Sequence, residues 1–203
     1  MIRKARITDV PAIADLIAQY ARAGKMLFRS HAELYETLRD FFVEERDSAS
    51  PHVAAGDAHL PAAGSSAPPH ISGVCALEIV WADLAEVKSL AVEGAAQGCG
   101  IGRKLVHAVI AEATELRIQR VFALTYERIF FEKLGFAVVD KNALPLKVWS
   151  DCLKCPKRDQ CDEIAVVKTL YPAPAVQEIN PDTLTSLRYE VPTPLVNLKL
   201  PHA

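Results

Sequence analysis

The sequence predicts an α/β (α+β) domain in which helices flank a mixed central sheet. Short apolar runs typical of buried strands alternate along the chain with segments of helical period. One of these runs leads through a glycine-rich turn, residues 97–102, into a long amphipathic helix. Hydrophobic residues make up 50% of the 203 residues, which is enough for a substantial core.

The N-terminal part of the chain predicts one strand and two helices. Residues 2–7 alternate apolar and basic side chains, as a half-buried strand does. Thr8 and Asp9 are residue types that cap a helix, and apolar residues follow them at helical spacing. Ser30 and Glu33 have the spacing of a capping box, so we expect a second helix to begin directly after Ser30.

The chain from there to residue 170 predicts a sheet whose strands are interrupted by two helices. Strands are expected at 41–43, 71–79, 86–92, 121–124, 136–139 and 164–167, and helices at 103–116 and 129–134. The last of these helices is followed by Gly135, a residue that commonly ends helices. Residues 1–170 are therefore predicted to form one domain.

Two segments lack any helix or strand period. From Pro51 to His70 the chain has four prolines, two glycines and six alanines but no Lys or Arg. We expect residues 47–70 to be a flexible insertion that lengthens a hairpin turn, because the entropic cost of closing a loop grows slowly with its length. Residues 171–203 carry six prolines and are predicted to form an extended tail.

Charge and cysteine usage narrow the classes of function. The chain has 23 Lys and Arg residues against 25 Asp and Glu, a net charge of −2, which argues against nucleic acid as a partner. No apolar run approaches the roughly 18 residues that span a bilayer, and no apolar segment follows the basic N-terminus. The five cysteines do not form the framework of a secreted domain. We expect a cytoplasmic protein, and a homo-oligomer is compatible with the sequence.

The glycine-rich turn at residues 97–102 has the composition of an anion-binding loop. Its glycines let the main chain approach a phosphate, and the free N–H groups of the next helical turn point at it. Gly102 is followed by Arg103-Lys104 rather than by Lys-Ser or Lys-Thr, which excludes a Walker motif. The third glycine also comes too early for a dinucleotide-binding fingerprint. The alternative is a plain glycine turn before a helix.

Gln97, Gly100 and Gly102 match the Gln/Arg-x-x-Gly-x-Gly/Ala loop of the GNAT superfamily of N-acetyltransferases, which the chain resembles from about residue 2 to residue 170. The opening strand and helix, and the helix-to-strand turn at residues 132–136, resemble the same superfamily. The resemblance implies the GNAT fold and acetyl-CoA as co-substrate.

Further segments resemble one group within that superfamily, the N-acetylglutamate synthases in their short, single-domain form. These segments are residues 24–30, 89–92, 124–126, 144–149 and 152–157. The resemblance implies transfer of acetyl from acetyl-CoA to the amino group of L-glutamate, in a ternary complex, giving N-acetyl-L-glutamate for arginine biosynthesis. The composition of the chain says nothing about glutamate by itself.

The GNAT resemblance assigns the cofactor to the loop and to the strand before it. In the superfamily the strand diverges from its neighbour, its free main-chain groups pair with the pantetheine arm, and one N–H holds the thioester oxygen. The corresponding residues are Leu90, Ala91, Val92, Gln97, Gly98, Cys99, Gly100, Ile101, Gly102 and Arg103. Cys99 is interpreted as a small loop residue, because the family transfers acetyl without a covalent intermediate.

The two carboxylates of glutamate require cations in the acceptor pocket. Arg29 is the first candidate, because an arginine grips a carboxylate with two parallel hydrogen bonds and the residues around it match the family. Lys88 and Arg128 are further candidates for substrate binding. For Arg29 and Arg128 the alternative is a solvated surface charge.

Acetyl transfer also needs groups that move protons. Glu86 is the candidate general base that takes a proton from the ammonium, directly or through water. The superfamily often has a tyrosine in the late helix that protonates the departing thiolate, but the chain has Phe131 there. Tyr126 is the candidate substitute, and the alternative is that the thiolate leaves unaided.

Cys152, Cys155 and Cys161 form a C-x2-C-x5-C pattern before the last predicted strand. Three thiolates at this spacing are suited to zinc or another soft metal, although a fourth ligand is not obvious. Reduced thiols without a metal are the alternative. For the chain as a whole, acetylation of another amino acid or small amine, or non-catalytic sensing of acetyl-CoA or glutamate, are the alternative functions.

Overall fold

The computed structural model describes residues 1–46, 70–144, 153, 155, 157 and 160–172. Its strands are β1 (Ile2–Lys4), β2 (Phe41–Arg46), β3 (His70–Trp81), β4 (Leu84–Val92), β5 (Arg120–Thr125), β6 (Ala137–Val139) and β7 (Ile164–Thr169). They form one seven-stranded sheet in the order β1-β2-β3-β4-β5-β7-β6. Only the central pair, β4 and β5, is parallel among the described strands. The predicted mixed sheet is therefore confirmed.

Helices cover both faces of this sheet. They are α1 (Val10–Arg22), α2 (His31–Glu36), α3 (Ile101–Glu115) and α4 (Arg128–Glu132). Helices α1 and α2 pack on one face against Val74 and Ala76, whereas α3 packs on the other against Cys75 and Leu77. The alternation follows from the pleat of β3, which directs successive side chains to opposite faces. Within the described ranges no helix is long and apolar enough to cross a bilayer.

The capping box predicted at the start of α2 is present. The Ser30 N–H donates to Glu33 Oε2 at 2.8 Å, and the Glu33 N–H donates to Ser30 Oγ at 3.3 Å. The two reciprocal bonds fix the direction in which the chain enters the helix. They therefore also fix the main chain next to Arg29.

Asp9 is the N-cap residue of α1, as expected, but its side chain makes no capping hydrogen bond. Its carboxylate instead accepts bonds from the Arg3 guanidinium at 2.6 and 3.0 Å and from the Arg6 N–H at 2.7 Å. A short 3-10 turn, Ile7–Asp9, precedes α1, so β1 ends at Lys4 rather than at residue 7. The bidentate bond to a buried arginine outweighs the local capping preference of the aspartate.

Gly73 determines how closely α3 approaches the sheet. A Cβ at this position would lie 2.8 Å from Ile101 Cγ2 and 3.0 Å from Leu105 Cδ1. A larger residue at this position would therefore have to displace the side chains of Ile101 and Leu105 in α3. The sequence analysis did not identify this glycine, because its role depends on a helix that lies far along the chain.

The two irregular segments lie largely outside the described residues. Of the predicted insertion, 47–70, only His70 is described, and it begins β3. The strands that the insertion joins, β2 and β3, pair antiparallel with Phe41 opposite Ala76, as expected for a hairpin. Residues 173–203, most of the predicted tail, are outside the described part, so flexibility and extension remain predictions for both segments.

Candidate active site

The glycine-rich loop connects the end of β4 to the start of α3. Gly98 and Gly100 have φ angles of 77° and 78°, a left-handed conformation that only glycine adopts without strain. Gly100 is the N-cap of α3, and no side chain of the described residues caps this end. The first N–H groups of α3 therefore point out of the helix without intrahelical partners. This geometry suits an anion, whose charge is also stabilised by the helix dipole.

Gln97 fastens this loop to the rest of the domain. Its side-chain Nε2 donates to the Tyr20 hydroxyl at 2.6 Å, and that hydroxyl donates to the carbonyl of Val92 at 2.5 Å. Tyr20 belongs to α1, so one side chain joins the loop, the last residue of β4 and a helix on the opposite face. Tyr20 was not identified from the sequence, since no motif links it to a residue 77 positions away.

Strands β4 and β5 diverge beside the loop. Their pairing includes Leu84 with Arg120 and Ala85 with Val121, and it ends at Glu86 with Phe122. Beyond that point β4 continues to pair with β3 as far as Val92, and β5 with β7 as far as Thr125. Within the described residues, the ladder between β4 and β5 does not continue beyond Glu86. The divergence that the resemblance implied is thus a feature of this sheet.

A β-bulge interrupts β4 at the edge of this opening. Val74 of β3 lies opposite Ala91, but Ala76 lies opposite Lys88, so β4 contains an extra residue between them. Ser89, within that interval, has a φ angle of 53°, which is uncommon for a residue other than glycine. A bulge turns main-chain groups out of the ladder, and strained main chain is often found at functional sites.

Two cations lie together on the α1–α2 face of the sheet. The ammonium of Lys88 is 2.5 Å from Glu78 Oε2, and the guanidinium of Arg29 is 3.7 Å from the same oxygen. Arg29 also lies over the ring of Phe41, 5.9 Å from its centre. The side chains of Arg29 and Lys88 are only 13% and 14% exposed, whereas Glu78 is 41% exposed. The sequence analysis identified both cations but not Glu78.

Glu86 adjoins this group from the neighbouring strand. Its side chain is 11% exposed and lies 3.8 Å from the ammonium of Lys88. Glu86 of β4 is directly opposite Glu78 of β3, a pairing of like charges that would destabilise the sheet without a cation between them. Lys88 supplies that cation. Asp40 is nearby, and burial together with the negative charge of Glu78 raises the pKa of its carboxyl.

Tyr126 lies just beyond the end of β5. Burial and the negative charge of Glu163 raise the pKa of its hydroxyl to about 12. The ammonium of Lys157 is 3.4 Å from this hydroxyl and 2.9 Å from the carbonyl of Gly24. Lys157 therefore connects the end of β5 to the loop that leads to Arg29. In the sequence, Lys157 is only the last residue of the 152–157 segment that resembles the family, and no role was predicted for it.

Arg128 is not brought together with the other predicted substrate residues. It lies in α4, where its guanidinium forms an exposed ion pair with Glu132 at 2.8 Å. An exposed pair at i and i+4 is typical of a solvated helix surface. The geometry therefore gives Arg29 and Lys88, but not Arg128, a common site.

The predicted metal site finds no support among the described residues. Cys152 lies outside them, Cys155 is half-buried, and Cys161 is exposed with its sulfur 3.4 Å from the ammonium of Lys141. No group of three or more His, Cys, Asp or Glu in the described part of the chain is arranged to hold a metal ion. Cys99 is exposed in the glycine-rich loop, as a small loop residue would be.

Comparison with known proteins identifies the family. Residues 64–138 match the model of the GNAT acetyltransferase domain. An uncharacterised N-acetyltransferase of Chlorobaculum tepidum is 37% identical over 169 residues, which cover 83% of this chain and 96% of the relative. The chain belongs to the GNAT acetyltransferases. An amino-acid acetyltransferase of Mycobacterium tuberculosis is another relative, 33% identical over 74% of this chain and 76% of its own length.

A solved structure of a GNAT protein has a similar fold. N-acetylglutamate synthase from Neisseria gonorrhoeae, in complex with coenzyme A and N-acetyl-glutamate, superimposes with a TM-score of 0.67 at 26% identity. The match covers 85% of this chain and 35% of the Neisseria protein. The predicted GNAT fold is therefore confirmed. The roles of the individual site residues rest on their geometry and are argued below as proposals.

Proposed function

We propose that the protein transfers acetyl from acetyl-CoA to the amino group of L-glutamate, giving N-acetyl-L-glutamate for arginine biosynthesis in the cytoplasm. One observation carries the proposal: the strand that diverges from β5 beyond Glu86 also bears Lys88, which lies beside Arg29 in a sparsely exposed site. In this proposal the binding sites for the acyl carrier and for a dicarboxylic acceptor therefore adjoin each other. The names of the relatives, amino-acid acetyltransferase and N-acetylglutamate synthase, support the same reaction.

The acyl carrier fits the loop and the opening. Free N–H groups from Gly98 to Arg103 are suited to the pyrophosphate, and residues 90–92 offer main-chain groups to the pantetheine arm. Because the bulge leaves Leu90 without a ladder partner in β3, we assign its N–H to the thioester oxygen. A main-chain donor aimed at that oxygen stabilises the negative charge that develops when the amine attacks.

The acceptor fits the cationic side of the site. In our proposal Arg29 and Lys88 each hold one carboxylate of glutamate, which positions the amino group towards Glu86. Charge-assisted bonds of this kind are stronger than neutral ones, and an arginine can form two of them in parallel. Because both cations are largely buried, solvent screens them less than it would screen surface charges.

The reaction then proceeds by direct transfer within the ternary complex. Glu86, directly or through water, takes a proton from the ammonium, and the neutral nitrogen attacks the thioester carbonyl carbon. As the carbon–nitrogen bond forms, the nitrogen loses its second proton to solvent. The carbon–sulfur bond then breaks, and the electron pair leaves with the sulfur of coenzyme A as a thiolate. The Tyr126 hydroxyl, with a pKa of about 12, stays protonated and can donate a hydrogen bond to that sulfur.

Complete proton transfer from Tyr126 would be unfavourable. Its pKa of about 12 is far above the value near 8.5 of an ordinary thiol, so the thiolate is the weaker base of the two. The thiolate in this proposal leaves with a hydrogen bond from Tyr126, and its proton comes from solvent. The reaction in this proposal therefore does not require a proton-donating tyrosine at position 131, where the chain has Phe131.

Release of free thiol tests the proposed reaction. Purified protein is incubated with acetyl-CoA and, separately, L-glutamate, L-glutamine, L-aspartate and L-lysine. The proposal requires thiol release with L-glutamate well above the rate with the other acceptors. Faster turnover of another amino acid would show that this amino acid, rather than glutamate, is the acceptor. Binding of acetyl-CoA and glutamate without any turnover would instead establish the sensing function.

A further inference from the structure

We propose that Glu78 competes with the carboxylates of the acceptor for Arg29 and Lys88, and so sets the affinity of the site for glutamate. This inference rests on the proposed function, because it takes Arg29 and Lys88 as the cations that bind the acceptor. Glu78 has the same chemical group as the side chain of glutamate. In the free protein its carboxylate lies where we expect a carboxylate of the acceptor to bind.

The contacts of a single oxygen carry the inference. Glu78 Oε2 is 2.5 Å from the ammonium of Lys88 and 3.7 Å from the guanidinium of Arg29, so one atom bridges both cations. An acceptor whose two carboxylates bound these two groups would have to displace that oxygen from both of them. Glu78 and the acceptor are therefore alternative partners of the same cations.

Of the three side chains, Glu78 is the one that can move away. Its side chain is 41% exposed, against 13% and 14% for Arg29 and Lys88, so it is the one with room to turn into solvent. The turn also separates it from Glu86, which lies directly opposite in the sheet. Relief of repulsion between these carboxylates makes displacement less costly.

Competition of this kind lowers the apparent affinity for the acceptor. When only a fraction of the molecules has its cations free, the apparent dissociation constant equals the intrinsic constant divided by that fraction. A partly exposed ion pair is worth little, so we expect Glu78 to weaken glutamate binding by about threefold rather than by orders of magnitude. Acetyl-CoA does not bind these cations, so its KM should not depend on Glu78.

The test compares Glu78→Gln with the wild type and with Glu115→Gln. The glutamine variant keeps the size of the side chain but removes its charge. Glu115 is exposed at the end of α3, so its variant changes the net charge equally at a distant place. We expect Glu78→Gln to lower the KM for L-glutamate about threefold and to leave the KM for acetyl-CoA unchanged. Glu115→Gln should change neither.

Glutarate, a dicarboxylate without an amino group, gives a second measurement that requires no turnover. Calorimetric titration should show it binding Glu78→Gln about threefold more tightly than the wild type. An unchanged or higher KM for glutamate in Glu78→Gln would overturn the inference. A raised KM with a lowered kcat would show instead that Glu78 binds the ammonium of the acceptor. If the wild type released no thiol with glutamate, the proposed function itself would fail.

Discussion

Glu86 of β4 lies opposite Phe122 of β5, and it is the last residue of β4 that pairs with β5. Of the next six residues, Val87, Lys88, Ala91 and Val92 keep partners in β3, whereas the bulge interrupts the pairing at residues 89–90. The other main-chain edge of this segment faces the opening between β4 and β5. The proposed general base is thus the residue at which the opening begins. A carrier bound along that edge would bring its thioester to the bulge near Ser89, a few residues from the carboxylate of Glu86.

The first prediction concerns the charge of the glycine-rich loop. Gly98 has a φ angle of 77°, and a Cβ there would meet nothing within 4 Å, so small residues that tolerate this conformation should fit. Asn and Asp both tolerate it and have nearly the same shape. We expect Gly98→Asp to weaken coenzyme A binding at least about tenfold more than Gly98→Asn, because the added charge repels the pyrophosphate.

Calorimetric titration with coenzyme A at low and high salt measures this difference. The difference in coenzyme A affinity between the two variants should become smaller as salt is added, because salt screens electrostatic repulsion. Thermal unfolding of both variants provides the control for folding. Equal affinities of Gly98→Asp and Gly98→Asn would show that the loop does not face the phosphates.

The second prediction concerns Arg29. Arg29→Ala should raise the KM for L-glutamate by about 10- to 100-fold, the usual cost of losing charge-assisted hydrogen bonds. The KM for acetyl-CoA should change much less, because the carrier binds elsewhere. Arg128→Ala is the matched comparison: this arginine forms an exposed pair with Glu132, so its loss should change the KM for glutamate little. An equal change in both KM values for Arg29→Ala would reject the assignment.

The third prediction concerns Tyr126. If its hydroxyl only donates a hydrogen bond to the sulfur, Tyr126→Phe should lower kcat by about tenfold or less, the value of one such bond. A general acid would typically be worth 10²- to 10⁴-fold. The dependence of kcat on pH should keep its shape in the variant. A decrease in kcat of more than about 100-fold, with a changed dependence of kcat on pH at high pH, would show that Tyr126 acts as a general acid.

The fourth prediction concerns the stability of the N-terminal strand. The side chain of Asp9 is fully buried and paired with Arg3. Burial alone would raise the pKa of Asp9, but the bonds from Arg3 and the Arg6 N–H outweigh it and hold the pKa below its usual value. Arg3→Met should lower the free energy of unfolding at pH 7 by about 3–5 kcal/mol, because it leaves a buried carboxylate unpaired.

The sign of the pH dependence gives this prediction a second check. Asp9 stabilises the wild type above the pKa of the unfolded chain, near 4, and this contribution is lost as pH falls through the lower pKa of the folded state. In Arg3→Met, protonation removes the buried charge, so the deficit relative to wild type should shrink on acidification. Urea unfolding at several pH values measures this deficit in the free energy of unfolding. Arg6→Met, at an exposed arginine, is the control. A deficit that grew at low pH would contradict the account.

Local patterns predicted the parts of the structure that local chemistry determines. The glycine-rich loop and the capping box at Ser30 each depend on a few consecutive residues, and both are present as expected. The start of α1 after Asp9 was predicted correctly, but the capping role of the Asp9 side chain was not. A capping pattern is visible in the sequence, whereas the bidentate bond to Arg3 depends on the path of the chain between them.

The residues that the sequence analysis missed act through register and long-range packing. Glu78 matters because β3 and β4 pair so that it lies opposite Glu86 and beside Lys88. Tyr20 and Lys157 reach the site from elements far apart along the chain. No short motif records such contacts, and an alternation of apolar residues does not determine which strand positions face each other.

A crystal structure of the protein with coenzyme A and L-glutamate tests the central claim most directly. The account predicts the pyrophosphate on the N–H groups of residues 98–103 and the pantetheine arm along residues 90–92. It also predicts glutamate on Arg29 and Lys88, with Glu78 turned away from both. Coenzyme A bound at another place, with β4 and β5 paired along their full length, would contradict it.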